Sequence, residues 1–199
     1  MTTVTAPRSH WPWRPADLSV GECEELRALG ILTDGGQWQP RPLSPAETNH
    51  TPEKHAISAP QVLNEAYRYG LPSSFTRGLR VGWPGATLLL ISGTASVDEQ
   101  GATTHPGDFR AQCWRTYRNI TELLTAEGAT WHHIVRCTCY LRDIERDYDE
   151  FNRVRTAFFD WLRLSPLPAS TGIQARLCRS DLLIEIEAMA LIPDGNGKR

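Results

Sequence analysis

Near its C-terminus the chain runs Leu182-Leu183-Ile184-Glu185-Ile186-Glu187-Ala188-Met189-Ala190-Leu191, an apolar strand that carries two carboxylates on one face. Side chains alternate along a strand, so Ile184, Ile186, Ala188 and Ala190 point one way and Leu183, Glu185, Glu187 and Met189 the other. The first set is a core face. The second places acids where an ionised carboxylate must be paired, hydrogen-bonded or held protonated. The rest of the chain therefore has to support one side of this strand and accommodate acids on the other.

The stretch leading to it is regular. Residues 77–83 and 87–92 read as two strands, joined by Trp83-Pro84-Gly85-Ala86, with Pro and Gly at the central positions of a type II turn. Small residues, Ser92-Gly93-Thr94-Ala95-Ser96, then permit close approach of a ligand or of backbone. Pro106 and Asp108 mark the start of a helix whose apolar stripe is Phe109, Cys113, Tyr117, Ile120 and Leu124, ending at Gly128. Residues 132–142 form a strand, with Ile134, Arg136, Thr138 and Tyr140 on one face and Val135, Cys137, Cys139 and Leu141 on the other. A second amphipathic helix spans 147–162 with Tyr148, Phe151, Val154 and Phe158 inward. Closing strands at 170–177 and 182–191 complete the order β-β-α-β-α-β-β. This is an α+β layer, a mixed sheet with two helices on one face. Its other face needs cover, which oligomerisation would supply.

Residues 1–73 differ. Nine of the prolines fall here with Trp11, Trp13 and Trp38, and no long periodic stretch runs through them. Two short helices are predicted, one capped by Ser19 and ending at Gly30, the other from Pro60 to Gly70. The division expected is thus a Pro/Trp-rich extension over 1–73, a main domain over 74–193 and a disordered tail over 194–199. The aromatic arm is expected to anchor on the body, with a pathway enzyme as a possible partner.

Bulk properties exclude several classes. A net charge of −2 on 199 residues gives no basic surface for nucleic acid. No apolar run reaches a membrane span and the N-terminus lacks a signal-peptide core, so a cytoplasmic protein is expected. Cys23, Cys113, Cys137, Cys139 and Cys178 are odd in number and lack zinc-ligand spacing, and the histidines share no i, i+4 pair. No metal or cofactor is expected.

Ile91-Ser92-Gly93-Thr94, Gln112 and Asn119, Gly128-Ala129, Leu141-Arg142-Asp143, Phe151-Asn152, Pro168-Ala169 and Ile184-Glu185-Ile186-Glu187-Ala188 resemble, in order and spacing, the Rid (YjgF-type) superfamily. The resemblance covers about residues 75–193. It implies a chorismate-mutase-like fold, a homotrimer with three clefts between subunits, and hydrolysis of enamines or imines. It also implies a Glu that moves protons with water, which Glu185 matches, and an Arg that grips a substrate carboxylate. Where the deaminating members read Pro-Ala-Arg, this chain has Pro168-Ala169-Ser170-Thr171-Gly172, and a hydroxyl replaces neither the charge nor the second donor. Arg77, Arg80 and Arg176 are the replacement candidates. Alternation leaves Arg77 and Arg80 on opposite faces, and Arg77, next to Phe75 where short members carry a cleft aromatic, is preferred.

The segment Cys178-Arg179-Ser180-Asp181-Leu182 through Glu187 also resembles, locally, the C-terminal part of chorismatases, which split the enol ether of chorismate. There the matching Glu protonates the substrate and some members use the matching Cys to direct the product. The expected catalytic residues are therefore Glu185 and Cys178, with substrate bound by Phe75, Arg77, Ser92, Gly93, Thr94, Asn152, Ser170, Thr171 and Gly172. The expected function is acid/base hydrolysis of a small conjugated metabolite of enol-ether, enamine or imine type, in a specialised biosynthetic member. The alternatives are a general 2-iminoacid deaminase and a non-catalytic binding module in which Glu185 is locked in a salt bridge.

Overall fold

The computed structural model describes residues 13–39 and 52–193. The expectations placed on Trp11, on the prolines of 40–45 and on the tail 194–199 lie outside the described residues. Two compact units are present, Met1–Thr51 and Pro52–Arg199. In the first, helix α1 (Val20–Ala28) starts where expected, because Ser19 and Glu22 satisfy each other's backbone N–H: Glu22 N–H donates to Ser19 Oγ at 3.2 Å, and Ser19 N–H to Glu22 Oε2 at 2.7 Å. Gly30 takes the left-handed conformation just past its end, at φ 71°.

The second unit holds six strands: β1 (Lys54–Ala56), β2 (Gly78–Trp83), β3 (Ala86–Ala95), β4 (Ile134–Leu141), β5 (Ala169–Gln174) and β6 (Ile184–Pro193). They form one sheet in the order β1-β2-β3-β6-β4-β5, antiparallel except for the β4/β5 pair. The strand read first in the sequence thus lies inside the sheet. Helices α2 (Phe109–Ala126) and α3 (Ile144–Leu162) start at the side-chain caps Asp108 and Asp143, whose Oδ1 atoms accept from Ala111 and Arg146 N–H at 3.0 Å. This α+β architecture, mixed sheet with two helices on one side, is the one expected.

Alternation holds along β6: Ile184, Ile186, Ala188 and Ala190 are all buried, and with Leu89, Ile91, Cys139 and Leu141 they meet Cys113, Tyr117 and Ile120 of α2 and Phe151 and Val154 of α3. Tyr117 and Phe158 stack at 4.6 Å between ring centres in this layer. No helix of the described residues is long and apolar enough to cross a membrane.

Four local readings are corrected. The second compact unit begins at Pro52, and β1 pairs with β2, so the sheet recruits chain upstream of the boundary placed at residue 74. The Pro60–Gly70 helix is replaced by turns and a short 3-10 helix, Ala66–Arg68. Its polar groups go to tertiary partners: the Asn64 amide donates to Glu99 O and the Asn64 carbonyl accepts from Arg77 Nε, both at 2.9 Å. A register shift between Ile134 and Arg136 puts Ile134 with the core face of β4 and leaves Val135 exposed, reversing the alternation expected there. Tyr148 is exposed, lying against Gly172 of β5 instead of in the stripe of α3.

Candidate active site

The uncovered face of β6 carries Glu185, Glu187, Met189 and Leu191. Glu185 pairs across to Ala95 of β3 and Tyr140 of β4, and Glu187 to Thr138. In β3, Ile91 opposes Ala188 while Thr94 opposes Ile186, so two residues, Ser92 and Gly93, stand against the single Glu187. This bulge brings Gly93 under the Glu185 carboxyl. A Cβ on residue 93 would lie 2.0 Å from Glu185 Oε1, so only glycine admits the carboxyl in this position.

Two cavities meet at Gly93, Cys178 and Glu185. One, of about 120 Å³, also takes in Tyr69, Phe75, Arg77 and Arg179. The other, of about 230 Å³, takes in Tyr140, Arg176 and Glu187. Burial pushes the Glu185 carboxyl above the usual carboxylate range; the Arg77 charge acts against that shift and the Glu187 charge adds to it. Tyr140, between the two acids, has its phenol raised by burial and by both carboxylates. Among the described residues no cation lies within ion-pair distance of Glu185.

Arg77 enters this cleft and Arg80 does not: Arg80 pairs with Glu127 at 3.2 Å on the opposite side. Arg77 is 6% exposed. Its Nε donates to Asn64 O at 2.9 Å, one NH2 hydrogen goes to the Tyr69 hydroxyl at 2.6 Å, and the guanidinium carbon lies 5.0 Å from the Tyr69 ring centre and 5.3 Å from that of Phe75. Its backbone N–H donates to Glu65 Oε2 at 3.1 Å, while Glu65 Oε1 is buried with no partner among the described residues. Burial raises the Glu65 carboxyl too, with Arg77 acting against it. The guanidinium is thus buried beside two carboxyls whose pKa values burial raises, and it makes no ion pair among the described residues.

Of the other expected residues, Phe75 lines the cleft and Cys178 is exposed at the junction of its two cavities. The remaining thiols of the sheet domain are packing groups; burial pushes Cys137 up to about 12 and Cys113 higher still. Ser92 borders the larger hollow of the open face, but its hydroxyl proton is given to Thr76 O at 2.7 Å. Thr94 turns to the core because it follows the bulge; it is fully buried and donates to Ser92 O at 2.8 Å. Ser170 and Gly172 share the register of Cys137 and Cys139 and so face the helices, with Ser170 accepting from Arg155 at 3.1 Å. Thr171, between them, lies on the open face and accepts from Arg136 at 3.2 Å. Asn152 sits on α3 and accepts from Arg155, away from Glu185. Within one chain, then, Thr94, Ser170, Gly172 and Asn152 do not join the cleft, and Ser92 and Thr171 lie on the open face without lining either of its cavities.

Tyr69, Tyr140 and Arg179 join it unforeseen. Tyr140 was legible, since alternation put it beside Arg136 and Thr138 on the face that β6 shares. Tyr69 was not: it comes from an irregular segment without periodicity.

A six-stranded α+β sheet, helices on one side and a half-buried glutamate over a glycine bulge on the other, defines the class. The family described as Endoribonuclease L-PSP matches residues 80–192. The chain belongs to that family, the Rid (YjgF-type) superfamily. It is 30% identical over 103 residues to the 3-aminoacrylate deaminase RutC of Acinetobacter baylyi, covering 52% of this chain and 78% of that one. It is also 30% identical over 123 residues to a chorismatase of Streptomyces hygroscopicus, covering 59% of this chain but only 35% of the relative. The YjgF gene product of E. coli superposes with a TM-score of 0.55 at 24% identity, over 68% of this chain and 97% of the other.

Proposed function

We propose that this protein is a Rid-superfamily hydrolase in which Glu185, held protonated, protonates the electron-rich carbon of a small conjugated metabolite bearing a carboxylate. The observation that carries this reading is the Glu185 carboxyl seated against Gly93, its pKa raised by burial, in a cavity it shares with the Arg77 guanidinium, which has no ion-pair partner among the described residues. Arg77 takes the role of the missing Pro-Ala-Arg arginine and binds the carboxylate.

The chemistry follows from that placement. An enamine or enol ether gains a proton at carbon from Glu185 and becomes an iminium or oxocarbenium ion. Water adds to the cation as the Glu185 carboxylate takes up its proton, restoring the acid. The adduct then expels ammonia or an alcohol and leaves a carbonyl product. Enamines and enol ethers share this first protonation at carbon, so Glu185 suits either substrate.

The reading includes a homotrimer assembled on the open sheet face. Leu191 and Ile173 are exposed there, and every residue of edge strand β5 is exposed. It also includes a cytoplasmic, biosynthetic setting; the exposed free thiol of Cys178 suits a reducing compartment. The non-catalytic reading required a salt-bridged Glu185, and the described residues form none.

The test is turnover of freshly generated 2-aminoacrylate and of chorismate, read as ammonia and pyruvate release, by the wild type and by Glu185→Gln. Turnover of one substrate is expected, reduced by about 100-fold or more in the variant. A wild type inert on both, or a variant as active as the wild type, overturns the proposal.

A further inference from the structure

Tyr69 lies upstream of the residues that the family match covers, yet it lines the same small cavity as Glu185 and Arg77. Its position is set from both sides. Gly101, at φ 83°, lets the ring approach so closely that a Cβ there would sit 2.6 Å from Tyr69 Cδ2, and the Arg77 guanidinium lies over the ring at 5.0 Å. Arg179 reinforces the arrangement by donating to Gly101 O. The phenol oxygen accepts from Arg77 at 2.6 Å, and its own proton finds no acceptor among the described residues. Burial raises the phenol above its ordinary range, so that proton stays in place at neutral pH. A fixed donor, with its acceptor side already used, therefore borders the cavity at the guanidinium.

We infer that Tyr69 is a substrate-binding residue, donating a hydrogen bond to the same carboxylate that Arg77 binds. The inference rests on the proposed cleft being the substrate site. Tyr69 and Arg77 together form an oxyanion clamp built from chain outside residues 80–192. This chain thereby replaces a single arginine of its relatives with an arginine and a phenol that fix each other. A charged donor and a neutral one aimed at one carboxylate favour a planar α-keto or α,β-unsaturated acid over a neutral ligand.

Pyruvate serves as the carboxylate probe, titrated into the full chain as wild type and Tyr69→Phe, with methyl pyruvate as the uncharged control. Phenylalanine keeps the contacts with Gly101 and with the guanidinium face and removes only the hydroxyl. Pyruvate affinity is expected to fall about 10-fold to 100-fold in Tyr69→Phe, with methyl pyruvate affinity unaffected by the change. Equal pyruvate affinity in wild type and Tyr69→Phe, no pyruvate binding to wild type, or an equal loss for methyl pyruvate each overturns the assignment. Failure of the catalytic reading appears separately, as undiminished turnover by Glu185→Gln.

Discussion

The two faces of β6 are built by the same alternation and obey opposite rules. On the helix side Ile184, Ile186, Ala188 and Ala190 are buried and interchangeable in kind: each removes apolar surface from water, and none has a directional partner. On the open side Glu185 and Glu187 stand two residues apart and are not interchangeable at all. Glu185 is half-buried over Gly93, between Ala95 and Tyr140, while Glu187 is exposed opposite Ser92 and Gly93. Periodicity assigns the faces; the β3 bulge distinguishes the acids.

The sharpest way to break this comparison is to damage each face separately. Ile186→Ala, at a position 1% exposed, is expected to cost about 2–5 kcal/mol of stability in urea unfolding. The folded fraction should keep its turnover per site, since the Glu185 and Gly93 face is untouched. If activity per folded molecule collapsed with stability, the two faces would not be independent.

Gly93→Ala tests the opposite face. Gly93 is absent from the glycines at positive φ, so alanine meets no backbone penalty there, only the carboxyl 2.0 Å away. Displacing Glu185 by an ångström or so should lower kcat/KM by about 100-fold, with the thermal midpoint little changed. A variant that retains its activity would show that the carboxyl's seat on the bulge is irrelevant to turnover.

These contrasts mark how much the sequence disclosed. The core was legible because period 2 in β6 and period 3.6 in α2 and α3 are imposed by burial, residue by residue. Glu185, Gly93, Phe75, Arg77 and Cys178 were legible too, as an acid, a glycine, an aromatic ring, a cation and a thiol at motif positions, and the structure gathers all five at one cleft. Within one chain Thr94, Ser170 and Gly172 fall outside the cleft because a bulge or a parallel register decides which side of the sheet a residue faces, and neither leaves a mark in a single sequence. Within one chain Asn152 also falls outside it, because helix α3 carries it behind the sheet. Tyr69 escaped because turns and a short 3-10 helix bring it in, through contacts with Gly101 and Arg77 that lie far along the chain.

The smallest expected effect separates the two acids from one another. Glu187 acts on Glu185 through its charge, in the direction that raises the Glu185 carboxyl, whereas Arg77 acts in the direction that lowers it. A general acid works while protonated, so activity falls as pH rises through the Glu185 pKa and that pKa sets the alkaline limb of kcat/KM. Glu187→Gln removes a neighbouring negative charge, makes the Glu185 carboxylate easier to form, and should move the alkaline limb to lower pH by less than about one unit, since Glu187 is exposed and its field is screened. Arg77→Met should move the same limb to higher pH while weakening carboxylate binding. Opposite shifts in the two variants, read from pH profiles at constant ionic strength, would assign the titrating group to Glu185. Shifts in one direction, or none, would place the proton donor elsewhere and leave the open face of β6 as acidic as the sequence suggests but without the division of labour between its two glutamates.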